Sequence, residues 1–228
     1  MDLTELKRFV DDKLAVNSTE NRWSLLHTFY SHLLKELIYS LLSNQADLEE
    51  VASRSYFHKN GFLKILLLDQ RPKYSVRLHI WPSSTFNDTH IHDHPWEMST
   101  MVLKGEYSWH IFKLRNSNQP TNYSAYQCKY LDDYSGHSFS FDSNVRVQQE
   151  KTIDLKAGLP VELSSGEYHK VVKSNVLPAD SIVITGGSEC FIAKVVTSEN
   201  LSCREKLLNK PVTYEFLKER LHSLIGRY

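Results

Sequence analysis

Three histidines stand at alternate positions near the middle of the chain, and a fourth stands far downstream. The first three are His90, His92 and His94, in the segment Thr-His-Ile-His-Asp-His-Pro-Trp-Glu, and the fourth is His169, in Gly-Glu-Tyr-His. Neutral imidazole is the commonest metal ligand in proteins. Residues i and i+2 of an extended segment share a face, so His92 and His94 can converge on one ion. A third ligand from the distant segment would complete a facial set with open coordination positions.

Composition sets the class of protein that could carry such a site. The 228 residues are enough for one sizeable domain, or for a domain with an appended piece. Hydrophobic residues are 41% and charged residues 24%, as in ordinary globular proteins. Lys+Arg and Asp+Glu balance at 27 each. This balance argues against nucleic acid or an anionic membrane as a partner, and we expect a small-molecule substrate instead.

The cysteines and the N-terminal segment bear on location. Cys128, Cys190 and Cys203 are odd in number and widely spaced, so we expect no disulfide framework and a reducing, cytoplasmic environment. The first residues lack the basic and apolar regions of a signal peptide. No apolar run approaches the ~20 residues that span a bilayer.

The first third of the chain has helical periodicity. Residues 3–14 form one amphipathic pattern, and Ser18 or Thr19 can cap a second helix. We predict a short third helix around residues 47–52 and a closing helix over residues 213–225. The second helix has a wide apolar stripe: Trp23, Leu26, Phe29, Tyr30, Leu33, Leu34, Leu37, Ile38 and Leu41.

Beyond residue 55 the pattern becomes that of short strands. Asn60-Gly61 is a strong turn signal. In residues 75–81, Val76, Leu78 and Ile80 share one face, while Arg77, His79 and Trp81 share the other. Regularly spaced short strands favour a sandwich or a barrel. The predicted strands are 62–68, 75–81, 98–103, 107–114, 123–130, 137–141, 145–153, 159–163, 169–172, 181–185 and 191–196.

These elements predict a mainly β fold that is preceded by a helical layer and followed by a helical segment. We expect an N-terminal helical layer over residues 1–56, a β-barrel over residues 57–200 and a C-terminal helical segment over residues 201–228. Helices that cover one exposed face of an antiparallel barrel are an ordinary solution to the burial of that face.

The histidine spacing resembles the first motif of the cupins. In that motif, two histidines one residue apart are followed by a Glu and then by a Gly. His92 and His94 match the pair, Gly105 matches the closing glycine, and Met98 stands at the usual Glu position.

The second cupin motif is matched downstream. Gly158, Gly166 and His169 fit in register, while Ser164 replaces a proline and Lys173 replaces an asparagine. The resemblance covers roughly residues 75–200. It implies a cupin double-stranded β-helix, which is a jelly-roll barrel, with a metal ion held by His92, His94 and His169.

A second register of the first motif remains open. It pairs His90 with His92 and supplies a carboxylate from Glu97, but it misses the spacing to Gly105 by one residue. The favoured register has three histidines and no carboxylate. Such a set leaves the ion more positive and favours an anionic co-ligand.

A three-histidine set is similar to that of the thiol dioxygenase branch of the cupins, which use Fe(II), and the segment also resembles bacterial cupins with His-Asp-His-Pro-Trp. The chain departs from the thiol dioxygenases in two places. Their Ser-His-Tyr element would fall near residues 181–185, where only Ser181 is retained, and Met98 and Ser99 stand near their crosslinking cysteine. We therefore do not transfer cysteine as the substrate.

Other residues have candidate roles beside the metal. Arg77 could clamp a substrate carboxylate and His79 shares its strand face, unless that face points to solvent. His90 could act as an acid–base group or contact a ligand, and otherwise it is an ordinary loop residue. The aromatic residues that could wall a pocket, or simply pack in the core, are Trp96, Tyr107 and Trp109.

Three functions are compatible with these residues. The leading hypothesis is an Fe(II) oxygenase acting on a small anionic metabolite. The second is an isomerase, lyase or hydrolase that uses Zn, Mn or Ni as a Lewis acid. The third is a non-catalytic module that binds a small molecule. The resemblance also allows a homodimer formed through edge strands.

Overall fold

The computed structural model describes residues 1–58, 60–83, 90–130, 136–173, 177–190, 192–201 and 207–227. Three positions used in the predictions lie outside this part of the chain. They are Thr89, the first residue of the histidine segment, Phe191, the first residue of the predicted strand 191–196, and Cys203. Cys128 is buried and Cys190 is exposed. No helix in the described ranges is long and apolar enough to cross a bilayer.

The N-terminal helices begin where the sequence offers caps. Asp2 and Glu5 form a capping box at the first helix, and Ser18 accepts a hydrogen bond from the Asn21 backbone at the second. A π-helical turn over Phe29–Leu33 joins the second helix to the third without a break. The helices are α1 (Leu3–Lys13), α2 (Thr19–Thr28), α3 (Leu34–Ser43), α4 (Gln45–Ser53) and α5 (Tyr214–Ile225).

The predicted apolar stripe of the long helix is only partly buried. Leu26, Leu33 and Leu37 are buried, whereas Trp23 and Tyr30 are exposed. A π turn holds one more residue than an α turn, so it changes which residues of the following turns face inward. The stripe over residues 23–41 was therefore predicted too wide on its exposed side.

Within the described part of the chain, fourteen strands form two seven-stranded sheets. The first sheet has the order β14-β1-β2-β3-β11-β5-β9, and the second has the order β13-β8-β6-β10-β4-β12-β7. The strands are β1 (Tyr56–Phe57), β2 (Leu63–Gln70), β3 (Tyr74–Trp81), β4 (Ile91–His92), β5 (Met98–Lys104), β6 (Glu106–Ser117), β7 (Tyr123–Tyr130), β8 (Gly136–Lys156), β9 (Pro160–Leu163), β10 (Tyr168–Val172), β11 (Ala179–Thr185), β12 (Ile192–Thr197), β13 (Leu207–Leu208) and β14 (Lys210–Pro211).

The strand order is that of a jelly roll. From β3 to β11, most of the chain alternates between the sheets: β3, β5, β9 and β11 lie in the first, and β4, β6, β8 and β10 lie in the second. Every pairing between named strands is antiparallel. This interleaving confirms the predicted mainly β fold class and its double-stranded β-helix.

One long strand replaces two predicted ones. Residues 137–141 and 145–153 were predicted as separate strands, but both belong to β8. The polar residues between them remain in the ladder because neighbours pair on both edges: Asn144 lies opposite Ser124 of β7 and Ser117 of β6. The pairing of β7 with β8 also closes the second sheet into a ring through β12, β4, β10 and β6.

The first sheet is covered on both faces. Val76, Leu78 and Ile80 of β3 join the core formed with the helices, whereas Trp81 joins the core between the sheets. Arg77 is 4% exposed, so its face points inward rather than to solvent. The predicted alternation of β3 is confirmed, and it directs the Arg77–His79–Trp81 face into the barrel. The division at residues 1–56, 57–200 and 201–228 stays a prediction.

Candidate metal centre

Three of the four candidate histidines lie together in the second sheet. His92 ends β4, His94 follows it, and His169 lies on β10 directly opposite His92 in the antiparallel ladder. One ring nitrogen from each lies within 4.8 Å of the others. Two nitrogens that bind one ion at about 2.1 Å stand no more than about 4.2 Å apart. Small side-chain rotations would therefore let the three rings share an ion.

Hydrogen bonds to backbone groups hold the segment of residues 92–94 in place. The Asp93 Oδ1 atom accepts a hydrogen bond of 2.5 Å from the Lys194 backbone N–H, and the Asp93 N–H donates to the Lys194 carbonyl at 3.1 Å. The Gly166 N–H donates to the His94 carbonyl at 2.9 Å, and the positive φ of Gly166 (74°) suits a glycine. The strand β12 and the turn before β10 thus fix the positions of the histidine backbones.

The His92 ring is also oriented. Its Nδ1 atom lies 2.8 Å from the His90 carbonyl oxygen. An imidazole that donates from Nδ1 to a carbonyl presents Nε2 as its free lone pair, which is the usual arrangement for a metal-binding histidine. The backbone of His90 therefore supports the cluster even though its side chain lies elsewhere.

Burial favours the neutral, metal-binding form of two of the three rings, His94 and His169. Burial lowers the pKa of His94 well below its ordinary value, and His92 and His169 beside it lower it further. Burial and then His92 do the same to the pKa of His169. The buried Nδ1 atom of His94 has no hydrogen-bond partner among the described residues. A buried polar atom of this kind is normally satisfied by a partner. The three histidine nitrogens together form a donor set that fits a divalent ion.

The cluster borders a pocket of about 590 Å³, including its open mouth. Two basic side chains line this pocket from the first sheet: Lys64, which is 8% exposed, and Arg77. The Lys64 Nζ atom donates a hydrogen bond of 2.9 Å to the Tyr56 hydroxyl. The Arg77 guanidinium carbon lies 5.1 Å from the centre of the Trp96 ring. The polar wall opposite the histidines therefore carries the positive charge of Arg77 and a second basic group, Lys64.

The other walls are apolar and largely aromatic. Phe62 and Trp81 pack with ring centres 4.3 Å apart, and Trp81 lies 5.6 Å from Tyr107. Of the three aromatic residues predicted to wall a pocket, Tyr107 and Trp109 line it. Trp96 stacks on His94 instead, with ring centres 5.7 Å apart. Such walls shield the cluster from bulk water.

The structure separates the two registers of the first motif. Glu97 Oε2 lies 2.7 Å from the Arg22 guanidinium, outside the histidine cluster, whereas Met98 lines the pocket. The cluster that can hold an ion contains His92, His94 and His169, and neither His90 nor Glu97 belongs to it. The geometry therefore agrees with the register that has no carboxylate.

The three residues predicted to be catalytic lie in two places. Arg77 and His79 line the pocket beside the cluster. His90 lines an adjoining cavity of about 400 Å³, with its Nε2 atom 3.8 Å from a carboxylate oxygen of Glu199. Their catalytic roles stay predictions.

Lys64 lines the pocket but was not identified as a candidate residue from the sequence. It is the only charged residue in the apolar run Phe62–Leu68, and a lone charge inside a buried strand is a signal that could have identified it. Tyr56, its hydrogen-bond partner, stands in a two-residue strand and gave no such signal.

No protein-family model and no curated protein matches the sequence. Solved structures do. An uncharacterized conserved protein with a double-stranded beta-helix domain from Klebsiella pneumoniae is 14% identical, with a TM-score of 0.37, over 65% of this chain and 93% of that one. The DMSP lyase DddQ from Ruegeria pomeroyi is 14% identical, with a TM-score of 0.36, over 62% of this chain and 56% of that one.

A third structure covers more of the chain. The polyketide cyclase RemF from Streptomyces resistomycificus is 13% identical, with a TM-score of 0.34, over 76% of this chain and 92% of that one. At these identities and TM-scores, the matches say nothing of what this chain binds or does. Its own strand order gives it a double-stranded β-helix, which is the fold that the resemblance to the cupins implied.

Proposed function

We propose that the chain is a mononuclear metal-dependent enzyme, in which His92, His94 and His169 hold Fe(II) and a small anionic metabolite is oxygenated. The observation that carries this proposal is the three-histidine cluster beside a pocket whose described lining contains the Arg77 guanidinium and no carboxylate. An Fe(II) ion there would supply open coordination positions for a substrate anion and for oxygen.

The chain's own residues favour an anionic substrate. Among the described residues that line the pocket there is no carboxylate, while Lys64 and Arg77 are both buried cations or potential cations. A guanidinium binds a carboxylate through two parallel hydrogen bonds. Packing against Trp96 limits the movement of Arg77 and prepares it for that contact. Arg77 would thus anchor the acid end of the substrate and orient the remainder towards the histidines.

The aromatic walls support chemistry away from bulk water. Trp81, Tyr107 and Trp109 are all buried and line the pocket. A low-polarity surrounding strengthens the attraction between the anion and the cationic groups. It also protects reactive species from side reactions with solvent.

A second candidate is a Lewis-acid enzyme on the same scaffold, with Zn, Mn or Ni in place of iron. The observation that favours it is the pair of bases, Lys64 and His79, whose pKa values burial lowers well below their ordinary values. Unprotonated bases beside a divalent ion suit proton transfer in an isomerase or lyase, or activation of water in a hydrolase.

Metal analysis of protein purified without added metal tests both proposals. We expect about one ion per chain in the wild type, and a loss of metal affinity of more than about 100-fold in His92→Ala and His169→Ala. His222→Ala, on the exposed face of α5, is the matched control and should retain the metal.

Oxygen uptake then separates the candidates. Iron in the purified protein, together with oxygen consumption that depends on an added thiol, amino acid or other small acid, supports the oxygenase. Tightly held zinc and no oxygen consumption with any metal-chelating acid overturn it in favour of the Lewis-acid enzyme. Ligand affinity that survives both His92→Ala and His169→Ala would make the chain a non-catalytic binding module.

A further inference from the structure

Lys64 occupies an unusual position for an amine. It lies in β2, directly opposite His79 of β3 in the ladder, within a strand that is otherwise apolar where it is buried. Its Nζ atom is 2.9 Å from the Tyr56 hydroxyl and 5.1 Å from the centre of the Tyr56 ring. The side chain reaches the same pocket that the histidine cluster borders.

The surroundings of Lys64 disfavour its charged form. Lysine is almost never buried without a carboxylate partner, and the described residues that line this pocket include no carboxylate. Burial is the largest cause that lowers the pKa of Lys64 well below its ordinary value, and Arg77 and then Arg71 lower it further. Asp69 acts in the opposite direction, but two hydrogen bonds from the Arg71 guanidinium hold its carboxylate.

We propose that Lys64 accepts the proton that a protic substrate loses when it binds the metal as an anion. This rests on the metal site proposed above. The substrate carries its proton on a thiol sulfur or on the oxygen of a hydroxyl or hydroxamic acid group. The bond from that atom to hydrogen breaks, and the electron pair stays on the sulfur or oxygen. The proton forms a new N–H bond on Lys64 Nζ. No electron changes hands, and the neutral amine becomes an ammonium.

The fold provides for the ammonium once it has formed. The Tyr56 oxygen already accepts a hydrogen bond from Nζ. The substrate anion now lies in the same pocket and offsets the new positive charge. A charge that was costly in the empty pocket is therefore stabilised in the complex.

Neither neighbouring base replaces Lys64 in this role. Arg77 remains protonated at any ordinary pH and cannot accept a proton. His79 starts from a lower ordinary pKa of 6.5, and burial, Lys64 and Arg77 lower it further. Its ring packs against Phe62, with centres 4.6 Å apart. The ordinary pKa of a lysine amine is 10.5, so Lys64 is intrinsically the stronger base.

The count of protons released on binding tests the proposal. The probe is acetohydroxamic acid, which is neutral near pH 7.5 and binds metal ions as its anion, added anaerobically to the metal-loaded protein. Calorimetry in phosphate and in Tris gives the number of protons released to the buffer. We expect none from the wild type, and about one per site from Lys64→Met and from Lys64→Arg, because ligand deprotonation then needs the buffer.

Two controls make the result specific. Lys64→Arg has a permanent positive charge on a side chain of similar length but cannot accept a proton, so a purely electrostatic role would leave it unlike Lys64→Met. Azide, which is already an anion, should release no proton from any of the three proteins. Equal proton release by wild type, Lys64→Met and Lys64→Arg with acetohydroxamic acid overturns the proposal.

A measurement on the wild type alone covers the case in which the variants do not fold. Lowering the pH until Lys64 is already an ammonium should make the same binding event release about one proton. Release that is independent of pH overturns the role of Lys64. A wild type that binds no metal overturns the metal site and this proposal together, whereas metal binding with unchanged proton release overturns the role of Lys64 alone.

Discussion

At the scale of single residues, adjacent side chains of one segment decide the charge of the site. Glu97 contacts Arg22 on one side, and Met98 lines the pocket on the other. Successive residues of an extended chain point to opposite faces, so a shift of one residue would have placed a carboxylate among the histidines. With Met98 there, the positive charge of a bound ion is left for the substrate anion to neutralise.

Met98→Glu tests the importance of that neutral position. We expect the new carboxylate to weaken the binding of small acids to the metal-loaded protein by at least about tenfold, or about 1.4 kcal/mol, because it competes with them for the ion. Calorimetry with azide as the probe measures this loss. Met98→Gln has the same length without the charge and should bind azide nearly as the wild type does. Equal affinity in Met98→Glu and Met98→Gln would contradict the expectation.

The ligands were predictable from the sequence, but their surroundings were not. The spacing of His92 and His94 and the second motif at His169 need only local geometry and register. Lys64 depends on a ladder that sets β2 beside β3, with Lys64 opposite His79. Pairing between strands is set by the whole barrel, so periodicity within β2 shows that it is buried without showing which residues it meets.

At the scale of elements, one buried side chain fastens the helical layer to the first sheet. Arg22 of α2 is fully buried and contacts Glu97 at 2.7 Å and Glu162 of β9 at 2.6 Å. It also donates to the Ser99 hydroxyl at 3.0 Å and to the Asn17 side-chain oxygen at 2.8 Å. The start of α2 is thus tied to β5 and β9, at the end of the sheet where the segment carrying the histidines enters β5.

We expect Arg22→Ala to lower the free energy of unfolding by about 3 kcal/mol, since it removes a fully buried side chain and leaves Glu162, which is 21% exposed, without its charge partner. Urea denaturation measures this loss. Lys113→Ala removes an exposed ion pair with Glu150 and should cost less than about 1 kcal/mol. Similar losses in both variants would show that the Arg22 contacts do not fasten the layer.

The turn between β5 and β6 requires a glycine for two reasons. Gly105 has a φ of 77°, and a Cβ atom there would lie 2.5 Å from the Pro178 carbonyl oxygen and 2.9 Å from the Ala179 Cα atom. Gly61 has a similar φ of 82° but open space around it. Substitutions at the two positions therefore distinguish the effect of backbone strain from that of a steric collision.

We expect Gly105→Ala to destabilise the protein by more than about 2 kcal/mol, because strain and a collision with backbone atoms add. Gly61→Ala should cost about 1 kcal/mol from strain alone. Thermal unfolding of both variants provides the comparison. A melting temperature for Gly105→Ala as high as that for Gly61→Ala would contradict the collision.

The elements themselves were largely predictable, and the exceptions have physical causes. The alternation in β3 and the turn at Asn60-Gly61 are local signals, and both agree with the structure. The continuity of β8 depends on distant partners, since Asn144 pairs with Ser124 and Ser117, which lie 20 and 27 residues away in the sequence. The closure of the second sheet depends on the pairing of β7 with β12 as well as with β8. The π turn at Phe29–Leu33 changes the helical period within an apolar run, which a fixed period of 3.6 residues does not detect.

At the scale of the whole molecule, two apolar cores lie on the two faces of the first sheet. One joins the sheet to the helices, and the other fills the space between the sheets around the pocket. Histidines lie beside the second core around the pocket, and desolvation lowers the pKa values of His79, His94 and His169 well below the ordinary value of 6.5. Folding therefore holds several bases in their neutral forms.

The stability of the metal-free protein should depend on pH as a result. Below about pH 6.5 the unfolded chain binds protons at these histidines that the folded chain does not, so the free energy of unfolding falls as the pH falls through that window. Each proton taken up on unfolding contributes a slope of about 1.4 kcal/mol per pH unit. Urea denaturation between pH 5 and pH 7.5 should show this slope.

His79→Phe should flatten the slope, because it removes one of these protons, while the exposed-residue variant His222→Ala should leave it unchanged. The same slope in His79→Phe and the wild type would show that His79 does not contribute to the pH dependence.

The two sheets divide the pocket between them. The three metal-binding candidates lie on or beside β4 and β10 of the second sheet, whereas Lys64, Arg77 and His79 lie on β2 and β3 of the first. If the proposed function holds, substitutions in β2 and β3 would alter which acid is accepted without touching the residues that would hold the ion. This separation would let related chains diverge in substrate while conserving a single metal chemistry, and it marks β2 and β3 as the strands in which to engineer new specificity.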